Sequence, residues 1–250
     1  MTAFDGVTET SGVSPAFDGR FDRAAELIKT QRHRREEPLH EGGRWPISVT
    51  MHPDPSSDLS TALGRLVTEA LAIAGPDHWR TGRPGTAHLT VRALERRRND
   101  VSPEDPAVLR YAVAMQRASA TCGRPTFDVC GLIATPGTVM AVATPTDGRA
   151  ELLLETLGDE LGADGWLEES IGPRDIWYLN VIHFAAAIND PDGLLEWVDA
   201  HRETHFGTFT ADQCHLIRWD HQLTDGRYEV FPVTLATSSF ADLDAPDRIS

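Results

Sequence analysis

Apolar and polar positions along the chain follow two periods, and these periods predict alternating helices and strands. In residues 58–75 the apolar side chains recur every three or four positions, which is typical of a helix with one buried face. The same period, with glycine and proline as end signals, predicts helices over 20–37, 58–75, 105–123, 148–165 and 190–207. Alternating or continuous apolar runs predict strands over 45–53, 85–94, 126–145 (two strands), 174–188 and 209–236 (two strands).

The connections between these elements favour an α+β fold over a doubly wound parallel sheet. The turn TPGT joins the strands within 126–145, and the hairpin signal Asp225-Gly226 joins those within 209–236. Strands joined by such short turns run antiparallel. We therefore expect mostly antiparallel sheets.

Composition divides the chain into three parts. We predict an N-terminal tail and helix over 1–43, the main domain over 44–240 and a C-terminal tail over 241–250. Residues 1–18 are rich in Gly, Ser, Thr and Asp, so we expect loose packing there. For residues 1–40 three roles stay open: a tail, a lid over a cleft, or a contact for a partner.

Composition also narrows the classes of function. The 250-residue chain is 40% hydrophobic with a formal net charge of −15, so it is a poor binder of long nucleic acid. No apolar run is long enough for a membrane span and no secretory signal opens the chain, so we expect a cytoplasmic protein without a membrane partner. No Gly-rich phosphate loop follows a strand, and the three cysteines lack metal-ligand spacing. Neither a cofactor nor a metal is expected, and the oligomeric state stays open.

Arginines cluster in the sequence around residues 85–94. The members of this basic patch are Arg80, Arg83, Arg92, Arg96, Arg97 and Arg98. Such a patch can attract a small anionic ligand although the whole chain is acidic, and a solvated surface is the alternative.

Two histidines stand inside strand-like stretches. In GTAHLTVRAL, alternation puts three polar side chains on one face: His88, Thr90 and Arg92. In WYLNVIHFAAA, the same alternation puts His183 on one face with Trp177, Leu179, Val181 and Ala185. A histidine in an apolar strand needs a hydrogen-bond partner or a chemical role. Either histidine alone is more often structural, but two in matched settings favour a shared site.

These two stretches resemble the paired motifs of the two-histidine phosphoesterase superfamily, which includes bacterial RNA 2′,3′-cyclic phosphodiesterases, also called 2′–5′ RNA ligases. HLTV at 88–91 matches the first His-x-Thr/Ser motif fully, and HFAA at 183–186 matches the second in its histidine. The order of elements resembles the family over about residues 45–236. The resemblance implies two similar lobes around a central cleft, with one motif from each lobe facing the other and helices on the outside.

The resemblance also implies metal-independent hydrolysis of a cyclic phosphodiester on a small nucleotide or a short RNA end. His88 and His183 would form the acid/base pair, because imidazoles titrate near neutrality. Thr90 would hold a phosphate oxygen, and Arg92 on the same face would add charge-assisted bonds.

One position departs from the family pattern, because Ala185 stands where the second motif has Thr or Ser. Loss of one such donor costs about 3 kcal/mol of transition-state stabilisation in other enzymes. Three hypotheses stay open: an asymmetric enzyme with another donor such as Tyr178 or Tyr228, an enzyme recruited to a different substrate or reaction, and a non-catalytic phosphate-ligand binding protein. A donor near Ala185 aimed into the cleft favours catalysis, and an apolar wall favours another ligand or reaction.

Overall fold

A computed structural model describes residues 15–171, 176–224 and 227–243. Its strands are β1 (Ile47–Met51), β2 (Leu89–Glu95), β3 (Thr126–Ala134), β4 (Thr138–Pro145), β5 (Trp177–His183), β6 (His205–Thr210), β7 (Gln213–Thr224) and β8 (Arg227–Ser239). Its helices are α1 (Pro15–Lys29), α2 (Asp58–Ala74), α3 (Pro106–Cys122), α4 (Arg149–Leu161), α5 (Trp166–Ile171) and α6 (Pro191–Ala200), with a 3₁₀ turn at Gly162–Gly165.

The strands form two four-stranded sheets, and every strand pair in them is antiparallel. The first lobe has the order β2-β1-β7-β8 and the second lobe β5-β4-β3-β6. Helix α3 covers β7 and β8, whereas α1, α2 and α6 pack on the strands of the second lobe. The edge strands β2 and β5 contact each other, so the two lobes meet where the motif histidines lie. The predicted α+β class is confirmed.

Local signals set the ends of the two helices that the sequence located best. Helix α2 begins after Ser57, whose side chain accepts a hydrogen bond from the amide of Ser60, and it ends at Gly75 with φ of 108°. Helix α3 begins after Asp105, whose carboxylate accepts from the amide of Ala107. Both helices lie within one residue of the predicted bounds because these caps act over a few residues.

Helix α1 begins earlier than predicted and ends at Lys29, not at residue 37. Gln31 adopts a left-handed conformation with φ of 56°, and the amides of Gln31 and Arg32 bond back to the carbonyls of Ile28 and Leu27. This is a Schellman cap without glycine. The side chain of Gln31 donates to and accepts from the backbone of Ile188, which offsets the unfavourable backbone conformation.

Residues 32–45 then run as an irregular segment, here called the strap, across both lobes. On the second lobe its amides at Arg34 and Glu36 donate to the carbonyls of Pro136 and Phe184. On the first lobe the amide of Gly42 donates to the carbonyl of Arg97. In addition, the α1 side chains Ala24 and Ile28 are buried in the main core. The segment before the predicted boundary at 43/44 therefore contacts both lobes through these hydrogen bonds and buried side chains.

Several predicted elements differ in their bounds from the structure, and two of them end earlier than expected. The helix predicted over 190–207 ends at Ala200, and residues 205–207 pair with β3 as the start of β6. The strand predicted over 174–188 ends at His183. The Asp225-Gly226 turn lies outside the described residues, although β7 and β8 pair on either side of it, and residues 244–250 lie outside them as well.

Candidate active site

A cavity of about 620 Å³ lies between the edge strands of the two lobes. Strands β1, β2, β5 and β7, the strap and helix α5 all contribute to its lining. The polar and charged lining residues are Glu36, Arg44, Ser48, His88, Thr90, Arg96, Glu168, Tyr178, Asn180 and His183, and the aromatic wall consists of Trp45 and Trp219. The cavity thus brings His88, Thr90 and His183 together, as the two motifs predict.

An irregularity in β2 changes which of its side chains face this cavity. Thr90 pairs with Thr50 and Arg92 pairs with Val49, so Val91 is an extra residue on β2. After this bulge the alternation is shifted, and Ala93 lines the cavity together with Thr90. The guanidinium of Arg92 instead donates to the carbonyl of Gly165 at 3.4 Å. The structure therefore places Arg92 outside the predicted phosphate site.

A second bulge changes the faces of β5. Asn180 pairs with Met140 and Ile182 with Val139, which leaves Val181 as the extra residue. As a result His183 faces the cavity together with Tyr178 and Asn180. The side chains predicted to share its face, Trp177, Leu179 and Val181, are in the hydrophobic core. A pure two-residue alternation is wrong here because it cannot include the extra residue.

His88 is a buried side chain with only 6% of its surface exposed. Its Nδ1 lies 2.9 Å from the carbonyl oxygen of Thr86. A carbonyl oxygen only accepts hydrogen bonds, so Nδ1 carries the proton and Nε2 is the basic nitrogen of the neutral ring. The ring contacts Trp219 at a centroid distance of 4.6 Å, which fixes its orientation.

His183 is held by both its backbone and its ring. Its amide and carbonyl exchange hydrogen bonds of 3.0 and 2.9 Å with Trp79. Its Nδ1 lies 3.1 Å from the hydroxyl of Thr81, which itself lies 3.5 Å from the carbonyl of Val181. The Thr81 hydroxyl can therefore accept from Nδ1 while donating to that carbonyl, so that Nε2 is the basic nitrogen.

The surroundings of His183 keep its imidazole neutral near pH 7. Burial, which is the largest cause, and the neighbouring charges of His88, Arg34 and Arg44 together lower the pKa of His183 to about 3. Its ring lies 5.2 Å from that of Trp45, centroid to centroid. A neutral imidazole at this place can accept a proton.

Tryptophans connect the two histidines. Trp45 contacts His183, Trp219 contacts His88, and the rings of Trp45 and Trp219 lie 5.8 Å apart. Ala185 packs against this cluster, and its amide donates to Nδ1 of His78. The position of the missing second hydroxyl is therefore an apolar wall. Sequence patterns did not identify Trp45 or Trp219 as site residues, since tryptophans more often serve in packing.

Polar groups other than the motif residues surround the histidines. Glu36 and Arg44 come from the strap, and their ion pair of 2.8 Å lies at the cavity. The amide side chain of Asn180 lies against the hydroxyl of Thr138, at 2.9 Å. Tyr178 lines the cavity as expected, whereas the side chain of Tyr228 lies outside the described part of the structure. The bulge in β5 and the course of the strap bring these groups to the site. Neither feature produces a periodic pattern in the sequence from which it could be predicted.

The predicted basic patch is dispersed in the fold. Arg83 pairs with Glu229, and Arg98 pairs with both Glu95 and Asp105. Arg97 is buried and donates to the carbonyl of Trp219. Of the six arginines, Arg96 is the one that lines the cavity. The six arginines therefore do not form one anion site, although they are neighbours in sequence. The second guanidinium at the cavity, beside that of Arg96, comes from the strap residue Arg44.

Two other kinds of feature are absent from the described residues. Within the described ranges, no group of three or more His, Cys, Asp or Glu side chains is arranged to hold a metal ion. In that same part of the chain, no helix is long and apolar enough to cross a membrane.

Solved structures share this fold. TT0787 of Thermus thermophilus matches with a TM-score of 0.50 and 17% sequence identity, over 78% of this chain and 98% of TT0787. E. coli LigT in complex with 3′-AMP matches with a TM-score of 0.49 and 11% identity, over 78% of this chain and 99% of LigT. No protein-family model and no curated protein matches the chain. The class that follows is an α+β fold of two lobes with a cavity between them, a fold that TT0787 shares.

Proposed function

We propose that this protein is a two-histidine phosphoesterase that hydrolyses a cyclic phosphodiester on a small nucleotide or an RNA end. The observation that carries the proposal is that His88 and His183, one from each lobe, line one cavity and are both held through Nδ1. Nε2 of each ring is then the nitrogen that exchanges protons with a ligand. Two imidazoles supply a base and an acid without further groups.

The roles of the two histidines follow from their surroundings. Neutral His183 accepts the proton of a water molecule whose oxygen attacks phosphorus. The bond from phosphorus to one ribose oxygen breaks, and His88, entering the step protonated, gives its proton to that oxygen. The negative phosphate raises the pKa of His183 while it is bound. Proton exchange with water afterwards restores the starting state.

Other groups of the cavity would bind the phosphate and the nucleoside. The hydroxyl of Thr90, on the strand that His88 precedes, would donate to a phosphate oxygen. Arg44 and Arg96 add positive charge at the cavity. Tyr178 would contact the base or sugar, because its ring lies in the lining beside these groups.

The apolar wall at Ala185 favours a second candidate function, which is binding of a nucleotide without turnover or with a different reaction. Ala185 packs against tryptophans and its amide is bonded to His78, so this position offers no donor to a phosphate. In that case the cavity would keep its affinity for a phosphorylated ligand while cyclic phosphates remain intact.

The test is turnover of a panel of 2′,3′-cyclic nucleotides and cyclic-phosphate RNA ends with EDTA present. We expect His88→Ala and His183→Ala each to lower kcat by about 10²–10⁴-fold, the usual contribution of an acid or base. His201→Ala is the matched control, because His201 ends α6 and does not line the cavity. Equal turnover in all variants contradicts the two-histidine mechanism, and ligand binding without turnover by the wild type favours the second candidate.

A further inference from the structure

A second, smaller cavity adjoins the candidate active site beneath the strap. Its volume is about 240 Å³, and its lining comes from strap residues alone: Arg34, Arg35, Glu36, Glu37, Pro38, His40, Arg44 and Trp45. We call it the strap groove. Glu36, Arg44 and Trp45 line both cavities, so the strap groove lies directly beside the site of His88 and His183.

The strap groove carries more positive charge than its carboxylates balance. Arg34 and Arg44 both bind the same oxygen of Glu36, at 2.9 and 2.8 Å. One buried carboxylate cannot neutralise two guanidinium groups, and Arg35 and Glu37 add one charge of each sign to the lining. The side chains of Arg34 and Arg44 keep 47% and 57% of their surface exposed, so a ligand can reach them. This local excess of positive charge stands out in a chain of net charge −15.

The arginines of the strap groove are held in place before any ligand arrives. The amide of Arg34 donates to the carbonyl of Pro136, and the guanidinium of Arg34 packs directly on Gly137, where any Cβ would meet it. The carbonyl of Glu36 accepts from Nε1 of the buried Trp79 at 3.1 Å. A preformed guanidinium loses less conformational entropy on binding an oxyanion than an exposed, unsupported one.

The strap groove is also electrostatically close to the reacting groups. The charges of Arg34 and Arg44 lower the pKa of His183, although burial lowers it more. An anion bound in the groove would offset these charges and favour the protonated form of that histidine. Occupation of the groove and proton transfer at His183 are therefore coupled.

We propose that the strap groove is a second anion subsite, which holds the 5′-phosphate of a nucleotide whose cyclic phosphate lies between His88 and His183. This inference rests on the proposed function. A ribose separates the two phosphates of such a ligand, as the shared residues Glu36, Arg44 and Trp45 separate the two cavities. The 5′-phosphate is either a free group or the link to a preceding nucleotide, and both present the same oxyanion.

The experiment compares kcat/KM for three substrates: adenosine 2′,3′-cyclic phosphate, the same compound with a 5′-phosphate, and a dinucleotide with a terminal cyclic phosphate. We expect the wild type to favour the 5′-phosphorylated compound by about tenfold or more, the effect of one added charge-assisted bond. Arg34→Ala and Arg35→Ala should each remove most of that preference. In Arg35→Ala, whose charge is not among those that lower the pKa of His183, the rate on the plain compound should stay within about twofold, a limit below the tenfold of one such bond. Arg32→Ala is the matched control, since Arg32 is exposed, pairs with Glu26 and lines neither cavity.

A second variant tests the position of the charge without removing it. Gly137→Ala pushes the guanidinium of Arg34 aside, and the backbone of Gly137 does not have a positive φ, so the chain tolerates alanine there. We expect it to reduce the preference for a 5′-phosphate as Arg34→Ala does. Retention of the full preference in Arg34→Ala, Arg35→Ala and Gly137→Ala overturns the proposal.

Failure of the subsite and failure of the proposed function give different results. Wild-type turnover of all three substrates with equal kcat/KM overturns the subsite and leaves the hydrolase intact. A preference for the dinucleotide over the 5′-phosphorylated mononucleotide assigns the groove to an internucleotide phosphate. If no substrate is turned over, calorimetric titration with AMP and with adenosine decides: tighter binding of AMP that is lost in Arg34→Ala supports the subsite, and equal binding overturns it.

Discussion

Acidification should destabilise the protein through His183, and the size of the effect follows from the state of its ring. The pKa of His183 is about 3 in the folded chain, below the ordinary value of 6.5 that applies after unfolding. The unfolded chain therefore binds the proton more tightly, and stability is lost as the pH falls from about 6.5 toward 3.

The loss can be worked out for any pH inside this window. A histidine that stays neutral in the folded state and titrates at 6.5 in the unfolded state costs about 1.4 kcal/mol at pH 5.5 and about 2.7 kcal/mol at pH 4.5. His52, next to the end of β1, contributes a similar amount, because burial and its neighbours His88 and His215 also lower its pKa to about 3. These values are insensitive to the folded pKa as long as it stays well below the working pH.

Urea unfolding at pH 7.5 and 5.5 measures this loss for the wild type and His183→Gln. Glutamine does not titrate, so the variant should lose about 1.4 kcal/mol less than the wild type between the two pH values. Carboxylates titrate equally in both proteins and cancel in the difference. His201→Gln is the control and should follow the wild type. An identical loss in the wild type and His183→Gln refutes the assignment of a neutral, half-buried imidazole.

Three substitutions test the packing around the site. Phe184→Ala should lower the free energy of unfolding by about 3–5 kcal/mol, because Phe184 is fully buried in the core; a loss below about 1 kcal/mol in urea unfolding contradicts this packing. Ala185→Thr should cost about 1–3 kcal/mol and leave kcat no higher, because the hydroxyl meets tryptophans; a gain in kcat would show that the position faces phosphate. Glu36→Gln should lower the free energy of unfolding by about 1–2 kcal/mol, a value reduced because solvent screens its half-exposed arginine partners. Unchanged thermal stability would show that the strap is held without this carboxylate.

Sequence patterns located the elements whose determinants are local. The ends of α2 and α3 depend on caps such as Ser57 and Asp105, which act within one turn. His88 and Thr90 belong to one tetrapeptide, and the structure places both in the cavity because no bulge separates them. The antiparallel pairing of β3 with β4 was predictable because a short turn joins the two strands.

Features that depend on distant partners could not be predicted in this way. The bulges at Val91 and Val181 arise from pairing with β1 and β4, and each reverses the face of the residues that directly follow it in its strand. Arg92 was therefore predicted on the wrong side. The sequence of the strap shows no hydrophobic period, because the strap is held by hydrogen bonds to backbone groups of both lobes. Its charged stretch RHRREE is typical of a solvated helix terminus, but in the structure the helix has already ended before it, at the left-handed Gln31.

The two halves of the site are alike in geometry and different in chemistry, and the strap accounts for the difference. On the first lobe, Thr90 lines the cavity with His88 and would provide a hydroxyl to the proposed phosphate site. On the second lobe, the matching position is Ala185 on an apolar wall, but the strap brings the guanidinium of Arg44 to the cavity that His183 lines. A guanidinium donates stronger, charge-assisted bonds to a phosphate than a hydroxyl does. A ligand phosphate would thus meet a neutral donor on the side of His88 and a cation on the side of His183. Loss of Arg44 should therefore weaken the binding of a phosphate ligand more than any substitution of Ala185 does.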